Sequence, residues 1–360
     1  MKKTSVQSAV KQVVSQTSPE GEGSADQVPL MGIPVIDKLT FILPVLVGPM
    51  YSDERIPKKM MRRIEKSLEK EKCVRWHAGE SRYRMQLRVP LPSGAKAQVQ
   101  IGAKKPLEQK GGFRIELNPG KLAEGDIEYL YKLIGQWLKG FGELDELLRR
   151  ARIGRMDVAV DVVHCAIVDL LIGYKGVHQF TVFGNTMKGG RFQTINFGSM
   201  GSDYIAAVYN KRDEVVRRIV AEAEKSGADE SLKAARIKQL KVAAGAPPTM
   251  RVEIRGMKIG CAANQLLTVG VRRFERFVFV ELQSIEGLTE FERRNFVALV
   301  RDSSLKEAVA LHKGQPTYKR VKKALAQTAT WWQPDGLWAR GIKTLRKSGI
   351  FPKDAFARGG

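Results

Sequence analysis

The chain has 360 residues, with 61 Lys and Arg against 38 Asp and Glu, a net charge of +23. Such an excess calls for an anionic partner, nucleic acid ahead of an anionic membrane surface. No run approaches the ~18 apolar residues of a spanning helix, and the N-terminus has a basic start without the apolar stretch of a secretory signal. Cys73, Cys165 and Cys261 are odd in number and far apart, which argues for a reducing cytoplasm and against a disulfide framework or a zinc site.

Residues 1–28, rich in Ser, Gln, Gly and Glu, are expected to form a flexible tail. Order is expected from Pro34, where VIDKLTFILPV is a buried strand. KKMMRRIEKSLEKEK (58–72) is a basic helix. Met85–Val89 and Ala97–Ile101 alternate around Pro92-Ser93-Gly94, a hairpin signal. Phe113–Leu117 is a further strand, and residues 124–150 carry helical spacing. Ile153–Val163 is a strand, and His178–Phe183 and Arg191–Phe197 form a hairpin around Lys188-Gly189-Gly190. Tyr204–Tyr209 is a strand running into a charged helix at roughly 211–225, and Met250–Arg255 follows a Gly-Ala-Pro-Pro loop.

After about residue 260 the pattern is helical to the end. The last 60 residues carry a net +9 and three of the five tryptophans, Trp331, Trp332 and Trp338. The hairpins and the lack of regular βαβ alternation predict an α+β fold: an antiparallel sheet with helices on one face, then a helical basic C-terminal region. The expected units are the tail 1–28, a domain 29–260 and the region 261–360.

Three constellations carry chemistry. In Arg155-Met156-Asp157-Val158-Ala159-Val160-Asp161, alternation puts Arg155, Asp157 and Asp161 on an open face and Met156, Val158 and Val160 in a core. Four residues of strand span roughly 13 Å, so both aspartates cannot ligate one metal unless the strand bulges. In Met250–Arg255, Arg251, Glu253 and Arg255 share a face. If the two strands are neighbours, Glu253 and one aspartate meet at roughly 5 Å, an oxygen-rich site suited to Mg²⁺ or Mn²⁺. For both strands the competing reading is a solvated charged surface.

The third constellation is a Gly-Ser turn, Phe197-Gly198-Ser199, followed by Val208-Tyr209-Asn210-Lys211-Arg212-Asp213-Glu214. The strand delivers Tyr209 to the first turn of a helix, with Lys211 and Glu214 on one helical face. A nearby lysine or metal would favour the phenolate, and the helix N-terminus would attract a phosphate. The competing reading is a strand-end aromatic in the core. His77, His164, His178 and His312 are scattered, and no GxxxxGK[ST] phosphate loop is present.

Together these stretches resemble the replication initiation factor family of rolling-circle plasmids and filamentous phages, which includes some relaxases of conjugative transposons. The matching segments are Val35–Phe41, Gly154–Asp161, Phe197–Ser199 through Tyr209, Lys211 and Glu214, and Arg251–Glu253, over roughly residues 35–260. The resemblance implies a divalent-metal-dependent strand transferase that acts on partly melted origin DNA in a bacterial cytoplasm, beside host helicase and polymerase. It implies Tyr209 as nucleophile, Lys211 beside it, and Asp157 or Asp161 with Glu253 as metal-site acids. Arg155, Arg191, Arg212, Arg251 and Arg255 are candidate DNA contacts. One departure is Met200, which stands where the family's Gly-Ser turn continues with a basic residue.

Lys319, Arg320, Lys322 and Lys323 are further candidate phosphate contacts, and the three tryptophans would stack on unpaired bases or fill a helical core, the core being expected for at least two. A non-catalytic, sequence-specific DNA-binding protein explains the charge equally well. A relaxase would use the same chemistry on a different element.

Overall fold

The computed structural model describes residues 27–46, 56–70, 73–75, 82–109, 111–177, 179–185, 191–199, 201–225, 230–282, 288–303, 305–326 and 329–357. The tail up to residue 26, His178, the Lys188-Gly189-Gly190 turn and Met200 lie outside them, as does the side chain of Arg191.

The strands are β1 (Leu30–Met31), β2 (Val35–Leu43), β3 (Val74–Arg75), β4 (Tyr83–Pro90), β5 (Lys96–Ala103), β6 (Phe113–Leu117), β7 (Arg152–Val163), β8 (Leu170–Tyr174), β9 (Phe180–Asn185), β10 (Arg191–Phe197), β11 (Tyr204–Asn210), β12 (Thr249–Gly256), β13 (Cys261–Ala262) and β14 (Phe277–Glu281). Twelve of them make one sheet, ordered β3-β4-β5-β6-β2-β7-β12-β11-β10-β9, with β1 and β13 also paired to β7. Every recorded pairing is antiparallel. The chain is an α+β protein: a large antiparallel sheet with helices, followed by a largely helical C-terminal region.

Alternation gives this sheet two unlike faces. Leu39 and Phe41 of β2, Val99 of β5, Ile115 of β6, Val158 and Val160 of β7, and Val252 and Ile254 of β12 are buried on one face. The helices Lys58–Lys70, Asp126–Leu138 and Leu337–Lys347 bring their apolar residues into the same core. Trp137 is fully buried there and donates from Nε1 to Ser67 Oγ at 2.9 Å. Burial of such a side chain contributes about 1.5–3 kcal/mol, and its polar tip stays satisfied. The helix Leu337–Lys347 lies close on β7 at Gly341, where a Cβ would stand 2.8 Å from Val158 Cγ1.

Two expectations are corrected. The helical stretch 124–150 is two helices, Asp126–Leu138 and Leu144–Arg149, because Gly140 (φ 82°) and Gly142 (φ 138°) turn the chain between them. The region after 260 is not helical throughout. Phe277–Glu281 pairs with β8 in a separate two-stranded sheet, and Phe277 and Phe279 reach the main core. The tryptophans fill the core, as expected for at least two of them, and are not free to stack on bases. Trp331, Trp332 and Trp338 are buried, and Trp331 donates to Glu281 while Trp338 donates to the Leu266 carbonyl. The core therefore runs through residue 260 without a break. Among the described residues no helix is long and apolar enough to cross a membrane.

Candidate active site

The opposite face of the sheet is polar from β4 to β11, and the site lies where β7, β12 and β11 adjoin. The β7–β12 register sets Asp157 opposite Arg255, Ala159 opposite Glu253 and Asp161 opposite Arg251. The β11–β12 register sets Tyr209 opposite Arg251 and Ala207 opposite Glu253. Glu253 thus stands between two alanines, whose small side chains leave room for a carboxylate with its guanidinium partner.

A bulge in β2 completes the arrangement. The β2–β7 register slips between Ile36 and Lys38, so Asp37 is the extra residue. Its carboxylate accepts from Arg251 Nη1 at 3.0 Å and from Asn118 Nδ2 at 3.2 Å. Arg251 meanwhile holds Asp161 through two bonds, at 2.5 and 2.7 Å. Arg155 holds Asp157 in the same two-pronged way, at 2.6–3.1 Å. Arg255 donates to Glu253 at 3.0 Å.

These pairings correct the open, solvated picture of the strand faces. Asp157, Glu253 and Arg251 are only 3 %, 4 % and 6 % exposed, so each depends on its partner. Burial pushes the Asp157 carboxyl up to about 6, even with Arg155 bound to it. Arg251 is held in its charged form more firmly than an ordinary arginine, because the bonds and charge of Asp161 outweigh its burial.

The three predicted metal-site acids do not form an oxygen cage. Glu253 faces Ala159 and lies diagonal to both aspartates, a separation of roughly 7–8 Å between backbones. Each carboxylate is occupied by a guanidinium. Among the described residues no three His, Cys, Asp or Glu converge as metal ligands. As the chain holds them, these acids do not fit a bound divalent ion.

Tyr209 lies at the end of β11, and the next residue caps the following helix. Asn210 Oδ1 accepts from the Asp213 backbone N–H at 3.1 Å, a side-chain cap at the start of the helix Lys211–Lys225. Lys211, Glu214 and Arg218 then recur along one helical face. With Arg217, Asp37, Asn118, Lys121, Thr194, Arg255 and Tyr209 they line a cleft of about 300 Å³. The lining carries Lys121, Lys211, Arg217, Arg218 and Arg255 against Asp37 and Glu214. Glu214 takes Lys211 at 2.5 Å and Arg218 at 3.5 Å. The Lys211 ammonium is 6.0 Å from the Tyr209 ring centre.

The phenolate expectation is reversed in the free protein. Burial raises the Tyr209 pKa above its ordinary value, the Glu253, Asp37 and Glu214 carboxylates add to the rise, and Arg251 opposes it. Tyr209 is a protonated phenol facing a surplus of cations. Tyr204, five residues earlier, lies on the other side of the sheet. Its hydroxyl donates to the Val269 carbonyl at 2.7 Å, and the Arg273 guanidinium covers its ring at 3.9 Å.

Of the predicted DNA contacts, Arg155, Arg251 and Arg255 are all bound to acids on the sheet, and of these three Arg255 also lines the cleft, with Lys211. Arg212 turns away to the Ala246 carbonyl, at 3.3 Å. Lys319, Arg320, Lys322 and Lys323 belong to the helix Thr317–Ala326, and Arg320 reaches Glu292 at 3.7 Å. Sequence alone assigns no role to Asp37, Lys121, Arg217 or Arg218. The spacing 211, 214, 217/218 is a usable helical signal. Lys121 and Asp37 come to the cleft only through the sheet order and the bulge.

No protein-family model matches the chain, and no curated protein does. Among solved structures, it is similar to the rolling circle replication initiator protein from Geobacillus stearothermophilus, at 16 % identity over 76 % of this chain and 98 % of that one, with a TM-score of 0.35. A likeness of that strength carries no argument about function.

Proposed function

We propose that the protein is a DNA strand-nicking initiator of rolling-circle replication, with Tyr209 as nucleophile. The observation that carries this reading is the phenol itself, set at a strand end in a cleft where Lys and Arg outnumber Asp and Glu. In the proposed reaction the Tyr209 oxygen attacks a backbone phosphate in line. The new oxygen–phosphorus bond replaces the bond to the 3′ oxygen, which leaves as a hydroxyl and primes synthesis by a host polymerase. The phenol's proton passes to a neighbouring carboxylate, either Glu253, diagonal to Tyr209 across β11 and β12, or Asp37 in the same cleft, and the leaving 3′ oxygen takes its proton from solvent. Arg255, Lys211 and Arg218 stabilise the charge that accumulates on the phosphate. The phosphotyrosine ester conserves the bond energy, so the strand can be rejoined without ATP.

Dependence on Mg²⁺ or Mn²⁺ belongs to the same proposal, but no step is routed through an ion, because the acids are held by arginines. The test is incubation with supercoiled phage or plasmid DNA and Mg²⁺, with and without EDTA. Nicked circles should form, and mass spectrometry should find the DNA adduct on the Tyr209 peptide. An adduct elsewhere, or none while nicking persists, overturns the assignment. A non-catalytic DNA-binding role is the second reading, favoured by the half-buried setting of Tyr209 beside carboxylates, which raises the phenol's pKa. Under that reading supercoiled DNA is bound and never nicked.

A further inference from the structure

A second concavity lies on the same polar face but on the other half of the sheet, over β4, β5, β6 and β2. It measures about 1290 Å³. Its lining carries the amides Gln86, Gln98 and Gln100 beside Arg114, and the carboxylates Glu108 and Glu116 there are paired, with Lys105 and with Lys38 and Arg114. Gln100 Nε2 donates to Gln86 Oε1 at 2.9 Å, and Arg114 donates to Gln100 Oε1 at 2.6 Å, so the floor is held in place. Gln98 makes no side-chain hydrogen bond to another described residue. Arg82 and Lys104 stand exposed at the rim, with no ion pair among the described residues.

Two features of this groove choose its ligand. Amides bring donors and acceptors without charge, which suits the edges of bases, and the rim cations suit phosphates. The floor is four strands across, about 14 Å between its outer strands. The major groove of duplex DNA is about 12 Å wide and admits a helix or a two-stranded ribbon. A duplex cannot seat its base edges on this floor, whereas a single strand can lie flat along it.

We propose that the groove binds an unpaired DNA strand, with bases on the glutamines and phosphates on the rim, and leads that strand to the Tyr209 cleft. The path is continuous. Lys38, at the near end of the groove, stands opposite Asp157, and Asp157 stands opposite Arg255 of the cleft. From β6 to β11 the distance is four strand spacings, about 19 Å. The choice of DNA as ligand rests on the nicking reading, while the choice of a single strand rests on the groove.

The test is fluorescence anisotropy in EDTA with labelled oligo(dA), oligo(dT) and a blunt duplex, each of about 20 units, long enough to exceed a single-strand site. Wild type should prefer single strands. The double variant Arg82→Ala/Lys104→Ala should bind single strands roughly tenfold more weakly, with the log–log salt slope reduced by about 1.4, at ~0.7 for each neutralised cation. Its duplex affinity should change by less than about twofold. Gln98→Leu should change the ratio of oligo(dA) to oligo(dT) affinity at least about threefold with no change in slope, as a base contact requires. Wild-type single-strand binding by both variants, or a parallel loss on duplex, overturns the proposal. Nicking of supercoiled DNA by Tyr209→Phe would sink the nicking reading while leaving the groove standing. Tyr209-dependent nicking with unaffected groove variants would sink the groove alone.

Discussion

The two halves of the polar sheet face solve opposite problems with similar charges. On β7 and β12 each of the three strand carboxylates is tied to an arginine: Asp157 to Arg155, Asp161 to Arg251, Glu253 to Arg255. Asp157, Glu253 and Arg251 are also nearly dry. On β4, β5 and β6 the face carries amides, cations and one carboxylate, Glu116, paired with Arg114 and Lys38, and most of these side chains meet solvent. The first arrangement fixes geometry before any ligand arrives, which is what reaction at one atom requires. The second leaves side chains able to adjust, which suits recognition of a varied polymer. Under the two proposals above, burial, more than residue type, separates reaction from reading on the two halves of this face.

The sharpest way to break this comparison is Tyr209→Phe. The variant keeps the ring and its packing and loses one oxygen, so nicking should fall at least about a thousandfold while DNA binding survives, because that energy comes from Lys and Arg on phosphates. Tyr204→Phe should retain activity, since its hydroxyl serves the Val269 carbonyl on the opposite side of the sheet. A gel assay for nicked circles reads both. If Tyr204→Phe is the inactive variant, the cleft half has been misassigned.

The next largest effect separates the halves by stability. Arg251→Ala leaves Asp161 and Asp37, a third and a quarter exposed, without their shared partner, and urea unfolding should show a loss of about 2–3 kcal/mol. Arg114→Ala removes a quarter-exposed cation from the groove, at a cost of about 1 kcal/mol or less. Equal costs would mean that the cleft is no more rigid than the groove.

Much of this is legible in the sequence. Strict alternation in Arg155–Asp161 and Met250–Arg255 places the right residues on the right faces, and the two strands do pair. The Tyr209-Asn210-Lys211 junction reads directly as a strand end and a helix cap. What alternation cannot supply is register across strands far apart in sequence. A slip of two residues would set Glu253 opposite an aspartate in place of Ala159, and the expected acid cluster resolves into acid–arginine pairs for that reason. The bulge that delivers Asp37 adds one residue without any local marker. Phe277–Glu281 is an aromatic and β-branched run without alternation, which periodicity alone does not separate from a buried helix, and its partner, β8, lies about a hundred residues earlier.

A smaller effect tests whether the cleft half is charged by design. Asp157 titrates at about 6 in the folded chain against an ordinary value near 3.8. The folded state therefore holds its proton more tightly, and stability falls as pH rises from about 4 to about 6. The shift amounts to at most about 3 kcal/mol. Asp157→Asn removes that loss, so its stability relative to wild type should improve by about 1–3 kcal/mol between pH 4 and pH 7, followed by urea unfolding at each pH. A difference that does not vary with pH would show that Arg155 fully offsets the burial of Asp157.

The smallest effect concerns cations outside the polar face. Lys319, Arg320, Lys322 and Lys323 lie on the helix Thr317–Ala326 and line neither concavity, and Arg320 shares its charge with Glu292. If origin DNA reaches this helix, it does so as the duplex flanking the melted strand, since no amide floor is present there to hold bases. Neutralising all four should therefore weaken duplex binding and reduce its log–log salt slope by about 0.9 for each phosphate no longer neutralised. Single-strand binding should barely change. Anisotropy titrations from about 50 to 200 mM salt would resolve the two slopes. An unchanged duplex slope removes these residues as phosphate ligands. A fall in the single-strand slope equal to that of the groove variant would mean that recognition extends over the whole basic surface, and the division between a reading half and a reacting half would no longer account for binding.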